Sequence, residues 1–195
     1  MARDDATTLA GSKPSKTISP AKLAHVVLRT AKFDEMVKFY TTFLGAHVVY
    51  ENGYLAFLTY DNEHHRIAIA SFPGTSPKVQ GSSGLEHIAF TFNTLEDLMV
   101  SWRQRKELGI EPVWCTNHGP TVSIYYKDPD GNMLETQVDA YETPEEATEF
   151  MRSEEFAQNP IGVDFDPEEF EKRVLAKEDF KVLTKRANIG VRGLT

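Results

Sequence analysis

Apolar residues dominate LAHVVLRT (23–30), with a Val-Val-Leu run that predicts a short strand. DEMVKFYTTFL (34–44) follows with apolar residues at helical spacing. Asp34 is placed to cap that helix and Gly45 to end it. AHVVYEN and GYLAFLTYDN predict two strands meeting at Asn52-Gly53, a hairpin signal, and IAIASF (67–72) predicts another. PGTSPKVQGSSG (73–84) has the composition of a linker. The pattern then restarts. GLEHIAFTF (84–92) predicts a strand, and TLEDLMVSWRQRKELG a helix capped by Asn93 or Thr94 and closed by Gly109. PVWCT, TVSIYYKD and NMLETQV predict further strands, the last two joined at Asp-Pro-Asp-Gly.

Leu23-Ala24-His25 aligns with Leu85-Glu86-His87 at an offset of 62 residues. Both halves run strand, helix, three strands, an α+β pattern. One such unit leaves a face of its sheet open, whereas two can pack together and enclose a cavity. The paired units span residues 20–140. Residues 1–19 are rich in Ser, Thr, Lys and Ala and read as a disordered N-terminal segment. Residues 141–195 read as a partly helical C-terminal extension, with Thr-Pro-Glu-Glu and Asp-Pro-Glu-Glu as two helix starts. In the second of these, DPEEFEKRVLAKEDFKVL (166–183), Phe170, Val174, Leu175 and Phe180 form a broken apolar stripe.

Composition narrows the function classes. The chain has 195 residues, 41% of them apolar, enough for one core with an appendage. A formal charge of −8 argues against a general nucleic-acid binder, whose affinity rests on cationic contacts. Cys115 is the only cysteine, so no intrachain disulfide can form. The opening residues lack the apolar core of a secretory signal, and no run is long enough for a membrane helix. The expectation is a cytoplasmic protein with no nucleic-acid or membrane partner.

Ionisable groups inside strand-like runs carry the candidate chemistry. His25 is placed mid-strand, on one face with Leu23 and Val27. His87 holds the matching position in the second unit. Glu135 lies in the last predicted strand, on the face of Met133 and Gln137. Buried charge costs several kcal/mol unless paired or bound to a metal. Each residue taken singly can be an ordinary hydrogen-bonded group. Together, two imidazoles and a carboxylate are a metal-ligand set that suits non-haem Fe(II), with open positions for other ligands, and also suits catalytic Zn(II).

The two units resemble the paired βαβββ modules of the vicinal oxygen chelate superfamily, which includes glyoxalase I, bleomycin-resistance proteins and extradiol ring-cleavage dioxygenases. The resemblance rests on Leu23-Ala24-His25, on Leu85-Glu86-His87-Ile88-Ala89-Phe90 and on Asp128-Pro129-Asp130-Gly131-Asn132-Met133-Leu134-Glu135. It implies a half-open barrel around a metal site. Within the superfamily the chain is most similar to the catechol-cleaving extradiol enzymes. That likeness implies His25, His87 and Glu135 as ligands of Fe(II), with Mn(II) or Zn(II) as alternatives. It implies Tyr125, ten residues before Glu135, as the residue that hydrogen-bonds the substrate. From EHHRIAIA (63–70) it implies His65 as the acid–base residue, with His64 its outward neighbour.

The same likeness implies a small aromatic diol and O2 as reactants. His118, Trp114 and Phe72 are further pocket candidates, and Arg66 reads as a surface charge. The insert between His65 and His87, and the single pair of modules followed by a helical tail, depart from the family pattern. A glyoxalase-like isomerase or lyase, or a non-catalytic binding module, remain the alternative functions. One pair of modules with a docked tail is compatible with a homodimer.

Overall fold

Leu28, Ala56, Leu58, Ile67 and Ile69 are all buried, and they come from three strands of one sheet. In the computed structural model, which describes residues 17–79 and 81–193, β1 (Val26–Arg29) pairs in parallel with β4 (Ile67–Ala70). β4 pairs antiparallel with β3 (Leu55–Thr59), and β3 with β2 (His47–Glu51). The strand order is β1-β4-β3-β2. Helix α1 (Phe33–Leu44) buries Phe33, Met36, Tyr40 and Phe43, a spacing of three and four residues that marks one helical face. Gly45 ends the helix at φ 60°, a conformation that costs glycine little.

Asp34 does not cap α1 as the sequence suggested. The N-cap is Lys32, with no side-chain cap bond, and Asp34 lies in the first turn. Phe33 is already buried, so docking of the ring starts the helix one residue earlier.

The second module repeats the design. β5 (His87–Thr91) pairs in parallel with β8 (Met133–Asp139), which pairs antiparallel with β7 (Thr121–Lys127), and β7 with β6 (Trp114–Asn117). Helix α2 (Leu95–Glu107) buries Leu95, Leu98, Met99 and Trp102, and Thr94 caps it by accepting the Asp97 N–H at 3.0 Å.

Phe43 sits where the modules meet. Its ring stacks on Phe39 at 5.2 Å and meets Tyr126 edge-on at 5.1 Å. The buried Arg105 guanidinium lies 4.0 Å from the ring centroid and donates twice to the Phe43 carbonyl, at 3.0 and 2.6 Å. One turn earlier in α1, Tyr40 donates its hydroxyl to Asp128 at 3.0 Å. Asp128 also accepts from the backbone N–H of Asp130 and Asn132, so the Asp-Pro-Asp-Gly turn is tied to the first module.

Beyond β8 the chain forms α3 (Pro144–Met151), α4 (Glu154–Gln158), β9 (Val163–Asp164), α5 (Pro167–Leu175) and α6 (Phe180–Thr184). Two features were not read from the sequence. β9 pairs antiparallel with β6 and makes the second sheet five-stranded, in the order β5-β8-β7-β6-β9. The 166–183 stretch is two helices, broken near Lys177 at φ 59°. Of its stripe, Phe170 and Val174 are buried against the core, whereas Leu175 and Phe180 are exposed. Past the break α6 joins the same core through Leu183, a position outside the stripe.

The expectation for residues 1–19 falls, through residue 16, outside the described residues. Among those described, no helix is long and apolar enough to cross a membrane.

Helix α3 begins with a complete capping box. Thr143 accepts the Glu146 N–H at 3.2 Å, and Glu146 accepts the Thr143 N–H at 3.2 Å. Thr143→Ala is expected to cost about 1 kcal/mol, read as a lower urea midpoint at unchanged slope; an unchanged midpoint would mean that α3 adds nothing to the cooperative unit.

Candidate functional site

Successive residues of a strand point to opposite faces, and β7 uses this fully. Tyr126 turns inward and is completely buried under Phe43. Tyr125 turns to the other face, opposite Glu135 on β8 and Trp114 on β6. Glu135 in turn pairs across to Ala89, which places it on the same face as His87. The result is a cluster on one face of the second sheet. His87 Nε2 lies 3.0 Å from Glu135 Oε2. Tyr125 stacks on Trp114 at 4.8 Å and meets His87 edge-on at 5.6 Å.

His118, in the turn between β6 and β7, completes the cluster. Its Nε2 is 2.9 Å from the Tyr125 hydroxyl, and its Nδ1 is 2.5 Å from the Ile161 carbonyl oxygen. Burial, followed by the Glu135 carboxylate, pushes the Tyr125 phenol well above its ordinary value. Burial is also the main influence on His118 and lowers its proton affinity, against the raising effect of the Ile161 carbonyl. His118 is therefore neutral near pH 7. Glu135 is 4% exposed, and among the described residues no lysine or arginine pairs with it.

A second cluster lies on the first sheet's side. The His25 and His65 rings are 4.3 Å apart, and His65 stacks on Phe57 at 4.6 Å. His64 Nδ1 is 2.6 Å from His65 Nδ1, so one of these nitrogens donates to the other and His65 keeps Nε2 free. Burial first, then the neighbouring His25 and His64, lowers the proton affinity of His65. His25 is not mid-strand as the sequence suggested. It lies one residue before β1 and is exposed. Leu23 and Val27 are exposed as well, so no buried partner holds this end of the strand in the ladder.

Arg66, read as a surface charge, has a defined duty. Its Nη1 donates to the carbonyls of Leu23 and Ala24, each at 3.0 Å, and its Nε donates to Asp61 at 2.9 Å. It clips down the segment that leads into His25. A basic residue directly after the histidine pair was visible in the sequence; its carbonyl partners were not. Phe72 is about half exposed, beneath the Arg29 guanidinium at 4.6 Å.

Among the described residues, no three His, Cys, Asp or Glu side chains are gathered closely enough to hold a metal ion. His87 and Glu135 are together, and His25 rests on His65 instead. The donors still suit a divalent cation. A buried carboxylate whose neighbours are an imidazole and a phenol, with no lysine or arginine beside it among the described residues, is a donor that a divalent cation would balance. A cleft of about 700 Å³ beside Phe43, Phe90 and Val100 contains none of these residues, so the chemistry does not sit there.

Residues 22–136 match the model of the Glyoxalase/Bleomycin resistance protein/Dioxygenase superfamily. The chain belongs to that superfamily. Among curated proteins it is 49% identical over 147 residues to biphenyl-2,3-diol 1,2-dioxygenase 2 of Rhodococcus globerulus, covering 75% of this chain and 77% of the relative. It is 48% identical over 153 residues to biphenyl-2,3-diol 1,2-dioxygenase 3 of the same organism, covering 77% and 80%. Among solved structures, the glyoxylase/bleomycin resistance protein/dioxygenase domain from Frankia sp. EAN1pec superposes with a TM-score of 0.52 at 19% identity, covering 62% of this chain and 93% of that one. Lactoylglutathione lyase from Agrobacterium tumefaciens gives 0.50 at 18% identity, covering 61% and 94%. At such identities the structural likeness speaks for the superfamily fold alone.

The superfamily match ends at residue 136, so the tail residues that touch the site lie outside it. Ile161, Asn159 and Arg186 were all missed by sequence reasoning. Their contribution is made largely through backbone carbonyls and turn geometry, which leave no residue-type signal.

Proposed function

We propose that the chain is an extradiol ring-cleavage dioxygenase that uses O2 to open a small aromatic ring bearing two adjacent hydroxyls, at an Fe(II) centre held by His25, His87 and Glu135. One observation carries this reading: a buried Glu135 beside His87 and Tyr125, in a chain 49% identical to a biphenyl-2,3-diol dioxygenase. In this reading the two sheets form a half-open barrel, with His25 as the third ligand beside His87 and Glu135. When bound, the metal supplies a shared coordination sphere and an electron path for diol and O2.

The protein's own residues do the rest. Tyr125 meets one substrate hydroxyl, and Trp114 stacked behind it fixes the phenol's direction. The Nε2 of His65, left free by the pairing of its Nδ1 with His64, accepts a proton released by the diol and returns it later in the cycle. Phe57, stacked on the His65 ring, keeps bulk water from one side of it.

The deciding experiment is anaerobic reconstitution with Fe(II), followed by oxygen-uptake assays on a catechol panel that begins with biphenyl-2,3-diol. Uptake of one O2 per diol with a yellow product is expected. Iron binding with no uptake across the panel would sink the reading. His65→Gln is expected to keep iron and to lower turnover by about 10²- to 10⁴-fold; loss of iron in that variant would place His65 among the ligands instead.

A further inference from the structure

Tyr125 has one proton and two acceptors near it: the Nε2 of His118, 2.9 Å from its hydroxyl, and the carboxylate of Glu135, its partner across the β7–β8 ladder. Which one receives it matters to any cation at Glu135. A carboxylate holding the Tyr125 proton is a weaker ligand than one whose lone pairs are free.

The tail makes this choice. A carbonyl oxygen can only accept, so the 2.5 Å contact with Ile161 requires the hydrogen of His118 on Nδ1. In a neutral ring Nε2 is then a bare acceptor, and the Tyr125 O–H must donate to it. The Ile161 carbonyl is aimed by a built turn. Asn159 Oδ1 accepts the N–H groups of Ile161 and Gly162 at 3.1 and 2.7 Å, and Asn159 Nδ2 donates to the Gly162 carbonyl at 3.0 Å. Arg186 joins this turn to the histidine. Its side chain is 2% exposed, and Nη1 donates to the His118 carbonyl at 3.0 Å and to the Asn159 carbonyl at 2.6 Å. Its guanidinium lies 5.0 Å from the Phe150 ring. Asn117 Nδ2 donates to the Thr184 carbonyl at 2.8 Å, a second tie between the same turn and the tail.

We infer that the C-terminal extension is part of the active centre: through Ile161, Asn159 and Arg186 it holds His118 as the Nδ1–H tautomer. That tautomer commits the Tyr125 proton to His118, leaves Glu135 free for a divalent cation, and turns the Tyr125 oxygen into an acceptor for a substrate hydroxyl. Arg186 is a positioning residue, since it acts only through His118. Were the ring to flip to the other tautomer, Nε2 would donate to Tyr125 and Tyr125 would donate to Glu135.

This inference rests on the dioxygenase reading for its substrate, but its test does not. Histidine-nitrogen NMR on the full, metal-free chain reports the tautomer of His118 directly, and anaerobic Fe(II) titration reports affinity without turnover. The wild type is expected to show hydrogen on Nδ1 and a bare Nε2. Arg186→Gln should populate the opposite tautomer and weaken Fe(II) binding by about 10- to 100-fold, with Arg186→Lys intermediate.

Should Arg186→Gln fail to fold, Gly162→Ala tests the same point. A Cβ there would meet the Asn117 carbonyl oxygen at 2.5 Å and the His118 Cα at 2.9 Å, at φ +115°, and so displace the turn. A wild-type His118 with its hydrogen on Nε2 overturns the inference. So do variants that leave both tautomer and Fe(II) affinity unchanged. Absence of oxygen uptake by the wild type sinks the dioxygenase reading instead, and leaves the tautomer result standing on its own.

Discussion

Glu135→Gln is expected to lose metal and ring cleavage together. The substitution keeps the size of the side chain and removes its charge. Glu135 is buried against His87 at 3.0 Å, with Tyr125 raised in pKa beside it, so no solvent replaces the lost anion. A metal contributes several kcal/mol to a reaction of this kind. A loss of about 4 kcal/mol corresponds to roughly 10³-fold in rate, and the expected fall in kcat/KM is at least that large. Metal analysis after dialysis and oxygen uptake with a catechol read the two effects side by side. A variant that keeps its iron at full occupancy would remove Glu135 from the ligand set. His87→Ala should behave in the same way, because both residues face one cluster from adjacent, parallel strands.

The largest stability effect is expected at Phe43, not in the site. Phe43→Ala removes a ring that is 2% exposed and touches both modules. Truncating a buried phenylalanine costs about 3–5 kcal/mol, against a total stability of about 5–15 kcal/mol for a domain. The cavity opens beside Arg105, whose buried guanidinium loses the ring 4.0 Å away but keeps the Phe43 carbonyl. The cation therefore stays anchored while losing a favourable neighbour. Urea unfolding followed by tryptophan fluorescence should show the midpoint shift, since Trp102 lies in the same core. A loss below about 1 kcal/mol, the size of an exposed contact, would show that the modules do not depend on each other through this residue.

The module pattern was legible along the chain because β-strand alternation and helical spacing are local properties. Tyr40, Phe43 and Met36 announce a helix face without knowledge of what covers it. The repeat of His25 and His87 was legible for the same reason. The edges of elements were less so. Asp34 looks like a cap until Phe33 is seen to dock, and His25 looks like a strand residue until Leu23 and Val27 prove exposed. The 166–183 stretch has the composition of one helix, and a single residue with positive φ, Lys177, divides it.

Within the site, residue types pointed to the second-sheet cluster and were silent about its supports. His87, Glu135, Tyr125 and Trp114 each carry a chemical group that alternation or spacing can place on a face, whereas His118 was legible only as a loop histidine near the pocket. Arg66 and Arg186 look like charges for solvent, yet each spends its guanidinium on backbone carbonyls, of residues 23–24 and of residues 118 and 159. No side-chain pattern encodes a carbonyl partner, because every residue has one. β9, two residues long, is too short for any periodicity to mark it.

Residue order alone therefore settles the paired modules, the faces of their strands and the chemistry available on each face. Periodicity follows from backbone geometry that every strand and helix shares. Only the folded chain decides that Tyr125 and not Tyr126 meets His118, that β9 extends the second sheet, and that the tail's Ile161 carbonyl reaches a histidine 43 residues earlier. Those contacts depend on how distant elements pack, and packing is a property of the whole core.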